Sequence, residues 1–162
     1  MNLITAFIAA SVVGIFEKTI ERIAILAALQ SIVAGQGGNA GVQTLTMIVR
    51  GMALGDLDRR NYLRTFFKEL GLGFANGIAV GSVVGVVVGI WTGQWLLGGI
   101  IAAAMLGNML AAAIAGFLVP VLLRAFRQDP AQASGVFVTT VTDVCGFLLF
   151  LGLATLAAGH LH

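Results

Sequence analysis

Between Leu70 and Trp91, and again between Trp95 and Leu123, the chain runs without one charged side chain. The hydrocarbon core of a bilayer is about 30 Å thick and takes roughly 20 apolar residues per helix. Inside lipid every backbone polar group must be satisfied within the segment, so apolar runs of this length read as α-helices. Three more apolar runs accompany these two, and the expected spans are residues 3–16, 23–49, 70–91, 95–123 and 131–158. Composition agrees, with 59% of residues hydrophobic and 10% charged, where soluble domains carry about 25% charged residues. The fold class is therefore an all-α membrane protein, a bundle of five transmembrane helices forming a single domain over residues 1–162. The first run is short for a span, and with no Lys or Arg before Lys18 it lacks the basic flank of a signal peptide.

Charge placement gives an orientation. Arg50, Arg59, Arg60, Arg64 and Lys68 fall between the second and third spans, and Arg124 and Arg127 between the fourth and fifth. Lys18 and Arg22 are balanced by Glu17 and Glu21. Basic loops stay in the cytoplasm, so the N-terminus is expected inside the cell and the C-terminus outside. Residues 56–69 have their own pattern: Leu63, Phe66, Phe67 and then Leu70 follow one helical face, with cations mostly elsewhere on the wheel. This predicts a short interfacial helix between the second and third spans; a solvated connector is the plainer alternative.

Small residues mark the packing faces. Gly73, Gly77, Gly81, Gly85 and Gly89 recur at every fourth position, and Ala103, Gly107, Ala111 and Ala115 form a similar ridge in the next span. Such stripes let membrane helices approach closely. Cys145 stands alone within an apolar run, which excludes an intramolecular disulfide. Pro120 is expected to bend or end the fourth span, while Asp129 and Pro130 form a good N-cap and first turn for the fifth.

Asp143 is the most informative residue. It stands about 14 residues into the fifth span, about 21 Å along at 1.5 Å per residue, and so near the middle of the hydrocarbon layer. An Asp there costs about 2.5 to 3.5 kcal/mol on insertion scales, and intramembrane ionisable residues mark functional sites by default. Gly135, Thr139, Asp143 and Gly146 make a small, polar stripe with Thr140 alongside, opposite an apolar face of Phe137, Val141, Val144 and Leu148. A protonated Asp serving as an interhelical hydrogen bond is the alternative. In the second span, four glycines between Gly35 and Gly41 each cost about 1 kcal/mol against Ala. A weakened or opened helix is expected there, with Asn39 and Gln43 facing a cavity; tight glycine packing is the competing reading.

The stretch from Gln36 through Gly38, Asn39 and Gln43 to Gly51 closely resembles the second-span signature of the MgtE family of magnesium channels and transporters. The run from Asp129-Pro130 through Ser134-Gly135 to Thr139-Thr140-Val141-Thr142-Asp143 resembles that family's fifth span. The resemblance covers essentially the whole chain. It implies a homodimer with a central pore on the twofold axis, lined chiefly by the second and fifth helices. It further implies that Asp143 forms the ion site, with Thr139 and Gly135 one and two turns below. Thr139 supplies a hydroxyl where the family also uses a small apolar residue. The family's cytoplasmic helical and CBS domains have no counterpart in this sequence, so no soluble regulatory domain is expected within it, and a separate regulatory domain or subunit is a possible partner. The implied location is a prokaryotic plasma membrane.

The expected function is passive movement of a divalent cation, Mg²⁺, as transported ion and ligand, past Asp143. Gly135, Thr139, Thr140, Gly38, Asn39 and Gln43 would form the ion pathway. Two Asp143 carboxylates brought together repel, and a divalent ion neutralises the pair. Magnesium prefers oxygen ligands and gives up its water reluctantly, which suits a carboxylate among hydroxyls and carbonyls. An enzyme is not expected: an aspartyl protease needs two carboxylates and a metalloenzyme a cluster of ligands, while His160 and His162 lie in the tail. No nucleic-acid partner is expected. The alternative function is a non-conducting membrane scaffold or a pore subunit that needs a regulatory partner.

Overall fold

The computed structural model describes residues 2–57 and 61–160, with side chains throughout except at 2, 132, 133 and 160. The described residues are helical almost from end to end: α1 (Asn2–Ile15), α2 (Glu17–Arg22), α3 (Ile25–Leu54), α4 (Tyr62–Thr92), α5 (Trp95–Ala125) and α6 (Pro130–Leu156), then a short 3₁₀ turn (Ala158–His160). Among the described residues three segments are long and apolar enough to cross a membrane: α4, α5 and Ser134–Leu156 of α6. α3 has the length, 30 residues, but its Gln- and Asn-bearing stretch makes it more polar, and α1 is apolar but has only 14 residues. The protein is thus an all-helical membrane protein. Arg59 and Arg60, counted above among the loop cations, lie outside the described residues, as does His162.

Two expected features differ. Among the described residues no separate interfacial helix follows α3; from Tyr62 onward that segment is the opening of α4, which runs unbroken to Thr92. Its apolar side chains divide: Leu63 and Phe67 are exposed, while Phe66 turns inward and meets Phe117 of α5 edge-on at 5.3 Å. Tyr62 joins the same cluster, 6.2 Å from Phe117, over Ile48 and Met52 of α3. This aromatic seat holds the first turns in line with the rest of α4. α3 is likewise a continuous helix through its glycines, and α5 continues past Pro120 to Ala125. Gly55 (φ 79°) and Gly93 (φ 70°) stop α3 and α4 in the left-handed conformation that glycine adopts without a Cβ penalty.

The glycine stripe of α4 lies against α5. A Cβ at Gly81 would stand 2.9 Å from the Ala102 carbonyl oxygen, and one at Gly85 2.7 Å from that of Gly98. The facing surface of α5 is Gly98, Ala102, Leu106 and Met109, a face that does not include the small-residue ridge read from the sequence at Ala103, Gly107, Ala111 and Ala115. Gly107 instead receives Leu149 of α6, Ala103 is exposed and Ala115 packs with Leu45 and Val138. α5 therefore sits centrally, bearing α4 on one side and α3 and α6 on the other. The main apolar core gathers at one end, where Leu26, Leu29, Leu97, Ile101, Phe150 and Leu151 are fully buried.

Neighbour pairs give the directions. Gly37 meets Asn108 and Gly41 meets Gly116, so α3 and α5 run parallel; Ala34 meets Gly146 and Gly41 meets Val138, so α6 opposes α3. The C-terminal ends of α3 and α5 and the N-terminal ends of α4 and α6 consequently share one end of the bundle. α1 packs on α6, and Thr19 and Thr155 share a hydrogen bond of 3.0 Å at the other end.

Candidate functional site

α6 begins with its cap in place: Asp129 Oδ1 accepts from the Ala131 N–H at 2.9 Å, and Ser134 Oγ donates to the Pro130 carbonyl. Asp143 follows 13 residues after Pro130 in this 27-residue helix, close to its midpoint. Gly38 and Asn39 hold the corresponding place in α3. The two helices leave a groove of about 590 Å³ between them, lined by Asp143 and Thr139 from α6 and by Gln36, Gly38, Asn39 and Gln43 among others from α3. At about 30 Å³ per water, this is room for roughly twenty waters.

Five sequence-selected residues thus meet in one place: Asp143, Thr139, Gly38, Asn39 and Gln43. Gly135 lies one turn nearer the start of α6, in an adjoining pocket of about 400 Å³ that also contains Arg50. Thr140 is not among the groove's walls; it donates to the Val136 carbonyl at 2.6 Å. Gln36 was not singled out from sequence, although residues 36, 39 and 43 fall on one helical face. Glu69 was missed as well. It lies in α4, only 3% exposed, with Oε1 unpartnered.

The glycines of α3 divide by role. A Cβ at Gly37 would collide with the Asn108 amide, and one at Gly41 would stand 2.6 Å from Val138 Cγ1. These two let α3 close on α5 and α6, which explains why the helix does not open as its composition suggested. Gly35 has nothing within 4 Å of such a Cβ, and Gly38 has only ordinary contacts, the nearest at 3.8 Å. Behind the groove, Asn108 Nδ2 donates to the Val33 carbonyl at 2.8 Å and ties α5 to α3.

The chemistry of the groove is oxygen chemistry. Thr139 spends its proton within the helix, donating to the carbonyls of Gly135 (3.0 Å) and Val136 (3.2 Å), so its oxygen lone pairs remain available. Among the described residues Asp143 makes no hydrogen bond and no ion pair. Gln36, Asn39 and Gln43 are exposed on the flank of the single chain, amid Val42, Phe137 and Val141. No three His, Cys, Asp or Glu side chains cluster among the described residues. An ion in the groove would meet one carboxylate per chain with neutral oxygens around it, a set suited to a hard cation that keeps much of its water.

The chain is similar to known proteins over most of its length. Residues 30–153 match the family model MgtE, described as a divalent cation transporter. The chain is 35% identical over 154 residues to the magnesium transporter MgtE of Thermus thermophilus, covering 95% of this chain and 34% of that protein. It is 29% identical over 153 residues to the magnesium transporter MgtE of Bacillus subtilis, again 94% of this chain and 34% of the relative. A third magnesium transporter MgtE, from Enterococcus faecalis, is 34% identical over 147 residues, 91% of this chain and 32% of the relative. The chain spans about one third of the length of these curated relatives. With most of its length matched by the family model, the chain belongs to the MgtE family of divalent cation transporters.

Proposed function

We propose that this chain is the ion-conducting membrane part of a passive Mg²⁺ transporter, working as a homodimer whose twofold axis runs along the groove between α3 and α6. The observation that carries the reading is the meeting of Asp143 and Thr139 with Gly38, Asn39 and Gln43 on one open groove at mid-helix. A polar face exposed on an apolar bundle must be covered by water or protein, since lipid satisfies none of its hydrogen bonds. A second copy placed across it would enclose a wet axis and bring two Asp143 carboxylates together. Their repulsion is relieved by a divalent ion, which leaves the pair neutral, whereas a monovalent ion leaves it charged. α1, α3, α4, α5 and α6 serve as the five spans of this reading. The basic residues around Arg50, Arg64, Lys68, Arg124 and Arg127 belong to the shared end described above, and basic ends stay in the cytoplasm, which puts the N-terminus inside and the C-terminus outside. The relatives' names support magnesium as the cargo.

The test is Mg²⁺ uptake into proteoliposomes by the purified chain and by Asp143→Ala and Asp143→Asn. Each variant is expected to lose most of the uptake, since both remove the charge that the ion neutralises. Uptake undiminished in both would remove the assignment. Native mass spectrometry of the same preparation is expected to find two 16.8 kDa chains per particle; active particles of one chain would remove the twofold pore.

A further inference from the structure

On the far side of Gln43 lies a second polar cavity, of about 250 Å³, where α3, α4 and α5 meet. Gln43 and Thr44 of α3, Glu69 and Asn76 of α4 and Met109 of α5 are among its walls. Glu69 is the centre of it. Its side chain is 3% exposed; Oε2 accepts a long hydrogen bond of 3.4 Å from Thr44 Oγ1, and Oε1 has no partner. Lys68, next in sequence, acts on Glu69 through its charge but is itself exposed. An unpaired buried carboxylate is costly, and buried charges are normally paired or bound to a metal. Something therefore belongs against Oε1.

The cavity's size and chemistry indicate what. About 250 Å³ is room for roughly eight waters at about 30 Å³ each, enough for an ion with six. The walls supply one carboxylate, one hydroxyl and the side-chain oxygens of two amides, all hard donors of the kind that calcium, magnesium and manganese prefer. Position fits as well. Glu69 stands 23 residues before Thr92, the last residue of α4, or about 35 Å along the axis. That is the edge of a hydrocarbon layer about 30 Å thick, where an ion arrives still hydrated. Thr44 is six residues beyond Gly38 in α3, so the cavity lies about 9 Å from the level of Asp143, toward the basic end of the bundle.

We propose that the Glu69 cavity is a second site for a hydrated divalent cation, held by Glu69, Thr44, Gln43 and Asn76, and that Gln43, which lines both spaces, joins it to the Asp143 groove. The site rests on its own groups and stands whether or not the groove conducts. The probe is Mn²⁺, counted by the loss of its free-ion paramagnetic resonance signal on titration into the purified full chain in detergent. Two classes of bound Mn²⁺ are expected. Glu69→Gln should weaken one of them by on the order of tenfold or more, because affinity at such sites follows ligand charge, and should spare the other. Asn76→Leu, on the cavity's exposed wall, should weaken the same class and decides the matter if Glu69→Gln does not fold. Asp143→Asn should remove only the other class; if it alters nothing while Glu69→Gln acts, the groove assignment fails and this one stands. Isotherms of Glu69→Gln and Asn76→Leu that superimpose on the wild type overturn the proposal, as does loss of both classes in Asp143→Asn.

Discussion

A methyl group added at residue 37 and one added at residue 38 meet opposite surroundings. At Gly37 it would overlap the Asn108 amide, whose Nδ2 holds the Val33 carbonyl; at Gly38 the nearest atom is Thr142 Oγ1 at 3.8 Å. Overpacking a close contact costs about 1 to 3 kcal/mol. Gly37→Ala is therefore expected to lose about that much stability relative to Gly38→Ala in thermal unfolding in detergent micelles, while Gly38→Ala, free of overlap in a helix interior, is expected to unfold up to about 1 kcal/mol above the wild type. Equal destabilisation by the two would show that the packing assigned to α3 is mistaken. Sequence alone could not separate these glycines, because the distinction lies in which neighbour each one touches. Asp143 was legible for the opposite reason: a carboxylate deep inside an uncharged run stands out whatever surrounds it. Glu69 did not stand out, since Arg64 and Lys68 precede it and the segment read as an interfacial helix with its charges among lipid phosphates. Its burial arises only when α3 and α5 close over it.

The two longest uncharged runs, residues 70–91 and 95–123, each fall inside one continuous helix, α4 and α5. The five-residue glycine stripe of α4 marks a close helix–helix contact, and the face it meets on α5, with Gly98 and Ala102, lies beside the small-residue ridge read from the sequence. The cause is physical: both stripes of α5 are rich in small residues because the helix packs on three neighbours, and composition does not say which stripe meets which neighbour. The expected break between the interfacial segment and the third span failed for a related reason. Charge marked the segment as separate, but Phe66 and Tyr62 dock on Phe117 and hold it in the α4 axis. The α4–α5 contact has a direct test. Gly85→Val would push a branched side chain into the Gly98 carbonyl, for which even a Cβ stands at 2.7 Å. A loss of at least about 2 kcal/mol is expected, read as a lowered unfolding midpoint in micelles, while the exposed Gly71→Val on the same helix, with nothing within 4 Å of its Cβ, stays within about 0.5 kcal/mol. Equal midpoints for the two variants would argue against the close approach.

At the scale of the molecule, helix direction and polarity converge. α3 and α6 oppose one another with Gln36, Asn39 and Gln43 facing outward, while Gly37, Gly41, Val138 and Thr142 of the same stretches are buried, so the groove arises from two helices that each bury their other sides. The claim on which the rest depends is that this groove is wet and admits divalent ions as far as Asp143. Thr139 lies one turn from Asp143 on the same wall, and Cys145 is the sole native thiol. The most direct measurement is the reaction rate of Thr139→Cys, in a Cys145→Ser background, with a charged, membrane-impermeant thiosulfonate reagent in proteoliposomes. The account predicts that the thiol reacts, that millimolar Mg²⁺ slows the reaction, and that this protection vanishes when Asp143→Asn is added. A thiol that stays unreactive, or one whose reaction Mg²⁺ leaves unchanged with Asp143 intact, would contradict it.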